Sequence, residues 1–380
     1  MLNLPLSAIK RIENIVINDE KYISLSQGAL KINGIPQQIK NHLKKILDTT
    51  QTDFYQSAWG IMPLREKIAQ VINQKNNTNI LAKQILVTHG CTGGLASSFT
   101  TILEPGDEVL IPEPAYLAYS SITKIARAKP VFVSCVSDNK NKFWDLDIEK
   151  IKAAKTSKTK ILVFSNPWNP LGLVVNKDII LDLLDWCSKN QIYMIMDEAY
   201  KDYVFSDNFE SCTNLINQSE WLIEANTFSK NFGMSGWRIG YLIVPEKLCI
   251  AIGQTQDAML NCPNIPAQYA AIYALDHPEI IQNFNTIIKN NLEMTKQELE
   301  PLVKENIFEY QNPDGGFYIF LKTQFKDSTK LCSNILNHAK VSLIPGGYFG
   351  QSGESFARLC FAREPQILKE GLDRIKNFLK

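Results

Sequence analysis

Short apolar runs rich in β-branched residues recur at 84–88, 108–112, 131–135, 160–164, 193–197 and 240–244, with helix-length segments between them. One such segment, 178–190, reads as an amphipathic helix with Ile179, Leu183 and Trp186 on one side. Strands apolar on both faces belong in a parallel sheet covered on both sides by helices. The pattern changes near residue 278. A long polar helix over 280–300 leads into a strand-like stretch at 316–321 and a closing helix from Pro365. The first forty residues show no clear period and are expected to pack beside that C-terminal part. This predicts an α/β fold class. Residues 40–280 form a large, doubly wound, mostly parallel-sheet domain, and 1–39 with 281–380 form a smaller α+β domain.

Ligands of such sheets sit beyond the carboxyl ends of the strands, so the loops that follow strands are where chemistry is expected. Phe228-Ser-Lys-Asn-Phe-Gly-Met-Ser-Gly-Trp-Arg-Ile-Gly-Tyr241 sets a lysine among small polar residues ahead of three glycines and one arginine. Lys230 is either an exposed lysine beside a turn or a desolvated amine able to form a Schiff base. Asp197 closes an apolar strand in Met194-Ile-Met-Asp-Glu-Ala-Tyr200. It is either a helix cap or a buried carboxylate awaiting a cation, for which a pyridinium nitrogen is suited. Ser165-Asn-Pro-Trp-Asn-Pro-Leu-Gly172 contains two Asn-Pro pairs, which stiffen a turn and can fix a side-chain amide. Thr88-His-Gly-Cys-Thr-Gly-Gly-Leu95 follows a strand and opens an apolar helix, an arrangement that lets backbone N–H groups approach an anion. It is neither a Walker A loop nor GxGxxG.

Composition narrows the field by exclusion. Forty Lys plus Arg against thirty-nine Asp plus Glu give a net charge of +1, without the basic excess a nucleic-acid binder shows. No run of about 20 apolar residues provides a membrane span, and the start carries no signal-peptide pattern. A soluble, cytoplasmic protein without nucleic-acid or membrane partners is expected. The eight cysteines form no CxxC pair and there are only four histidines, so no metal site is expected and the thiols should be reduced and mostly buried.

Taken together and in order, these segments resemble the class I aminotransferases, pyridoxal-phosphate enzymes of fold type I. Tyr55, Gly60-Ile-Met-Pro-Leu-Arg65, Pro112-Glu-Pro-Ala-Tyr116, Pro345-Gly-Gly-Tyr-Phe-Gly350 and Phe356-Ala-Arg-Leu359 extend the resemblance along most of the chain. The resemblance implies pyridoxal 5'-phosphate as cofactor, with Lys230 carrying it covalently and moving the substrate α-proton. It implies that Asp197 pairs with the ring nitrogen, Asn169 and Tyr200 bond the ring hydroxyl, and Tyr116 stacks on the ring. Cys91, Thr92, Thr227, Ser229 and Arg238 would hold the phosphate, with Tyr55 reaching the phosphate of the neighbouring subunit in a homodimer with shared active sites. Arg358 would grip the substrate carboxylate, with Asn169 and the Gly28 backbone beside it.

Only seven arginines occur: Arg11, Arg65, Arg127, Arg238, Arg358, Arg363 and Arg374. None falls between Arg238 and Arg358, where aspartate-specific members of one subgroup carry a second carboxylate-binding arginine. The expected activity is therefore transfer of the amino group of an L-amino acid, not preferentially a dicarboxylate, to a keto acid. Asp53 and Glu113 are either solvated acids or groups facing a cationic substrate side chain. The same catalytic set also serves elimination or cyclisation, as in enzymes resembling capreomycidine synthase that act on a hydroxylated basic amino acid, and this alternative stays open.

Overall fold

The computed structural model describes residues 7–137, 139 and 142–380. Seven strands form the main sheet: β1 (Ile85–Thr88), β2 (Glu108–Glu113), β3 (Lys129–Ser134), β4 (Thr159–Ser165), β5 (Tyr193–Asp197), β6 (Leu222–Thr227) and β7 (Gly240–Ile243). Their order is β1-β7-β6-β5-β4-β2-β3, with every pairing parallel except those of β7, which runs against both neighbours. Buried side chains of Leu, Ile, Val and Met pack on both faces of this sheet, as continuous apolar strands require.

β6 has no counterpart among the expected strands. Its Leu-Ile-Glu-Ala-Asn-Thr sequence carries polar side chains at alternate positions, yet every residue is buried. Glu224 is satisfied inside by Lys201 Nζ at 2.8 Å, Asn226 Nδ2 at 2.9 Å and the Thr213 hydroxyl. Burial beside Glu224 pushes Glu198 up to about 8. Glu198, Cys212 and Glu224 bring potential ligand atoms within 4.8 Å of one another, but the Lys201 ammonium already serves as their cation, 3.9 Å from Glu198.

A second, four-stranded antiparallel sheet joins β8 (Phe308–Glu309), β9 (Tyr318–Thr323), β10 (Ile344–Pro345) and β11 (Phe356–Cys360) in the order β10-β11-β9-β8. The N-terminal region docks beside it: Ile23–Ser24 pairs in parallel with Val341–Ser342 as a separate two-stranded sheet, and Cys360 N donates to the Leu25 carbonyl at 2.8 Å. That region is more regular than its sequence suggested. Ala8–Val16 is a helix whose cap, Ser7, accepts from Lys10 N, and Gln37–Leu47 is another. The helix expected at 178–190 is Lys177–Lys189, and its inner face is turned by one residue. Ile180, Leu183, Leu184 and Cys187 are buried, whereas Ile179 and Trp186 are only partly covered. Among the described residues no helix is long and apolar enough to cross a membrane.

Candidate active site

The carboxyl ends of β4, β5 and β6 converge with the N-terminal strap 24–29 and with β11. Thr227 ends β6 and caps the short helix Phe228–Asn231, its hydroxyl accepting from Ser229 N at 3.1 Å. That cap presents Lys230, whose Nζ donates to the Gly28 carbonyl and lies 5.7 Å from the centre of the Tyr200 ring. Burial, with Arg358 and Arg238 nearby, lowers the Lys230 amine to about 8 despite opposing effects from Cys360 and Asp197. This is the desolvated amine, not the exposed lysine beside a turn.

Asp197 is 5% exposed at the end of β5. Its carboxylate accepts from Tyr119 Oη at 2.9 Å and Ala199 N at 3.1 Å, with Cys91 Sγ at 3.6 Å. Burial raises its affinity for a proton, and these donors only partly offset that. Tyr119 was not among the expected site residues. It lies three residues beyond Tyr116 and so on the same side of a helix start, which was the available signal.

The Asn-Pro turn delivers Asn169, whose N–H donates to Ser165 Oγ at 3.0 Å and whose Oδ1 accepts from Arg358 Nη1 at 2.9 Å. Arg358, on β11, is 1% exposed. Its Nη2 donates to the Ser26 carbonyl at 2.6 Å and its Nε has no partner among the described residues. Its guanidinium lies over the rings of Tyr318 and Phe349, at 4.3 and 4.8 Å from their centres. Tyr318 was also overlooked. Its hydroxyl is 2.6 Å from that of Tyr200, and a Cβ placed on Gly28 would fall 2.0 Å from the same oxygen. A larger residue at position 28 would displace that hydroxyl.

Around the start of the helix Gly90–Ile102, two glycines make room for close packing. Gly90 has φ +72°, and a Cβ there would meet Arg238 Nη2 at 2.5 Å. One on Gly240 would meet Cys91 N at 2.6 Å. Arg238 itself is exposed and donates to the Ser235 carbonyl at 2.8 Å. Cys91 and Thr92 in the first turn, Arg238, and Thr227 through its pairing with Gly240 are thereby drawn towards the positive end of a thirteen-residue helix, with Ser229 two residues beyond Thr227. Tyr116 packs edge-on against Tyr119, and burial raises its phenol against the opposing Thr92 hydroxyl.

Two expected residues stand apart. Tyr55 is 83% exposed and Asp53 lies on the same exposed stretch, in contact with none of the groups above. Glu113 is neither solvated nor free. It is buried, and its carboxylate accepts from Gln351 N, Ser352 N and Ser352 Oγ at 3.1, 3.2 and 2.7 Å, anchoring the loop after Gly350.

A buried carboxylate without an ion pair among the described residues, an amine lowered towards neutrality and a helix start ringed by hydroxyls and arginine fit pyridoxal 5'-phosphate. Comparison with known proteins agrees. Residues 20–375 match the family described as aminotransferase class I and II. An aspartate aminotransferase of Thermotoga maritima is 34% identical over 327 residues, 86% of this chain and 83% of the relative. Aromatic-amino-acid aminotransferase 2 of Thermococcus litoralis is 30% identical over 379 residues, 98% and 96% of the two chains. The crystal structure of an aromatic aminotransferase from Pyrococcus horikoshii superposes with a TM-score of 0.87 at 28% identity, covering 98% of each chain. With lysine, carboxylate and arginine converging as described, the chain belongs to the class I and II aminotransferases and is a pyridoxal-phosphate-dependent enzyme.

Proposed function

We propose that this aminotransferase acts on monocarboxylic L-amino acids, with neutral or aromatic side chains, in preference to aspartate or glutamate. The observation that carries the reading is the disposition of the arginines. Arg358 is buried, faces Asn169 and is paired with no carboxylate among the described residues, which suits it to an α-carboxylate. Arg65 lies at the amino end of β1, where its Nε donates to the Ala82 and Ile85 carbonyls, and Arg363 is held by other carbonyls. That leaves no second buried guanidinium for a side-chain carboxylate. Tyr200, Phe317, Tyr318 and Phe349 instead give the neighbourhood an aromatic wall.

When bound, pyridoxal phosphate supplies the electron sink that makes the α-proton of the amino acid acidic. The residues divide the remaining work. Lys230 holds the cofactor and, as an amine, takes the α-proton and returns it. Asp197 keeps the ring nitrogen protonated. Asn169 and Tyr200 bond the ring hydroxyl, and Tyr116 supports the ring face. Cys91, Thr92, Thr227, Ser229 and Arg238 hold the phosphate. Arg358 fixes the substrate carboxylate beside the Gly28 backbone. We read Tyr55 as completing the site of a second copy in a homodimer, and its exposure in the single chain supports this. Asp53, on the same stretch, would then face the partner's substrate entrance. The seven-stranded sheet and its flanking helices constitute the large unit at 40–280, and 1–39 with 281–380 the small one. Eight free cysteines, seven of them buried, support a reducing, cytoplasmic setting.

The test is to incubate the holoenzyme with single amino acids and no keto acid. Neutral and aromatic amino acids should each release one equivalent of keto acid per active site and then stop. A preference for aspartate would overturn the substrate reading. Continued turnover without a keto acid would replace transamination by elimination or cyclisation.

A further inference from the structure

Arg363 is 2% exposed and follows β11 by three residues, yet no carboxylate pairs with it among the described residues. Burying a guanidinium without an acid is costly unless its donors are satisfied otherwise. Here backbone carbonyls satisfy them. Nε donates to Ser24 O, Nη2 to Gln27 O at 2.7 Å, and Nη1 to Ala29 O and Ala362 O, each at 2.9 Å. Cys360 Sγ lies 3.4 Å from Nη1.

Three of those four carbonyls belong to the strap 24–29, and they alternate with carbonyls turned to the active site. Ser26 O accepts from Arg358 Nη2 at 2.6 Å, and Gly28 O accepts from Lys230 Nζ. Residues 24, 27 and 29 thus hold Arg363, while 26 and 28 serve the two cations of the site. Arg363 is itself fixed from behind. Asn291, on the long helix Glu279–Lys304, donates through Nδ2 to Phe361 O at 2.8 Å and Arg363 O at 2.7 Å. The strap carries no acid, and Glu13, on the helix Ala8–Val16 beside it, is engaged elsewhere, accepting from the Ser24 and Ser26 hydroxyls and pairing with Lys31 at 3.5 Å.

We propose that Arg363 is a positioning residue for substrate recognition: by gripping the strap 24–29 it keeps the Ser26 and Gly28 carbonyls aimed at Arg358 and Lys230. Only a guanidinium spreads donors widely enough to meet carbonyls at positions 24, 27 and 29 together. A lysine ammonium at the same place is a single point of charge with three donors. The inference rests on the reading that Arg358 takes the substrate carboxylate and Lys230 carries the cofactor.

The experiment compares Arg363→Gln, Arg363→Lys and Arg358→Lys as holoenzymes. It records KM and kcat for a neutral amino acid, the pH midpoint of the cofactor absorbance, and the thermal midpoint. Arg363→Gln should raise KM about tenfold with kcat within about threefold, as expected when ground-state positioning is lost. It should also move the absorbance midpoint, because the Lys230 partner is no longer held. Arg363→Lys should recover less than half of the KM effect. It also carries the test should the Gln variant fail to fold, since KM should still rise several-fold. Unchanged KM and absorbance midpoint, even with a lower thermal midpoint, would reduce Arg363 to a core support and overturn the proposal. Full recovery by lysine would overturn it too, since charge alone would then suffice. If Arg358→Lys leaves KM unaltered, the reading of the site itself fails. If Arg358→Lys raises KM while the Arg363 variants do not, only the Arg363 inference fails.

Discussion

The Arg358 guanidinium carbon lies 4.3 Å from the centre of the Tyr318 ring, on a side chain whose hydroxyl is 2.6 Å from that of Tyr200. One tyrosine therefore braces both the proposed carboxylate-binding arginine and the proposed partner of the ring hydroxyl. Its ring and its hydroxyl have separable effects.

Removing the hydroxyl alone, as in Tyr318→Phe, costs one buried hydrogen bond, about 1 kcal/mol. A fall of about fivefold in kcat/KM is expected in steady-state assays, with a loss of stability of about 1 kcal/mol. Tyr318→Leu also removes the cation–π platform, which is about 2 kcal/mol in a desolvated site. KM for the amino acid should then rise about 30-fold. Equal kinetics for the two variants would show that the ring does not support Arg358.

Asp197 is buried and its carboxylate is disfavoured by that burial, so a cation placed opposite it favours the ionised form. Asp197→Asn preserves shape but leaves no charge opposite the ring nitrogen. kcat should fall roughly 100-fold, as for loss of a charged buried hydrogen bond at the upper end of its range. Tyr119→Phe, which removes only the 2.9 Å bond to Asp197, should cost several-fold. Comparable losses in the two variants would contradict the assignment.

The Lys230 amine, lowered by burial from 10.5 to about 8, gives a pH dependence of definite sign. In the cofactor-free protein, the rate of acylation at Lys230 should rise with pH to a midpoint near 8. A midpoint above 10 would contradict the burial effect. Between 8 and 10.5 the unfolded chain binds more protons at this position than the folded one. The cost of burying the charged lysine is thus fully present below pH 8 and is relieved as pH rises towards 10.5. The stability difference between wild type and Lys230→Met should change in that window and be flat below it.

Glu113 holds the amides of Gln351 and Ser352, and the Gly350 backbone packs so tightly there that an added Cβ would sit 2.1 Å from its carboxylate. Glu113→Ala should therefore lower stability by about 1–3 kcal/mol in denaturant unfolding. The preference between basic and neutral amino acids should not change. Asp53→Lys on the exposed stretch should do the reverse, leaving stability within about 0.5 kcal/mol. It should raise the relative rate with neutral over basic substrates, and an unchanged preference would exclude Asp53 from the entrance.

Six strands of the main sheet were legible from their apolar runs, five of them buried on both faces and the sixth, the edge strand β3, only partly covered. β6 was not, because Glu224 and Asn226 look like surface residues until Lys201 and Thr213 are brought to them through the fold. Motifs singled out Lys230, Asp197, Asn169 and Arg358, and the fold brings Asn169 to Arg358 and both cations to the strap 24–29. Tyr318 and Ser26 act through contacts between segments up to 332 positions apart, as Ser26 does with Arg358, and no local pattern marks them, whereas Tyr119 carried only the weak signal of its spacing from Tyr116. Glu113 was misjudged for a related reason. Its partners lie more than two hundred positions downstream, so its burial could not be read from Pro-Glu-Pro. The inner face of Lys177–Lys189 shows a smaller limit, because periodicity fixes that a helix is amphipathic more firmly than it fixes its rotation.

The central claim is that Lys230, opposite Asp197, is the residue that carries the cofactor. Reduction of the pyridoxal-phosphate-loaded protein with borohydride, followed by peptide mapping, tests it most directly. The cofactor absorbance should disappear with one phosphopyridoxyl group per chain, attached to Lys230. A label on another lysine, or no covalent label at all, would contradict it.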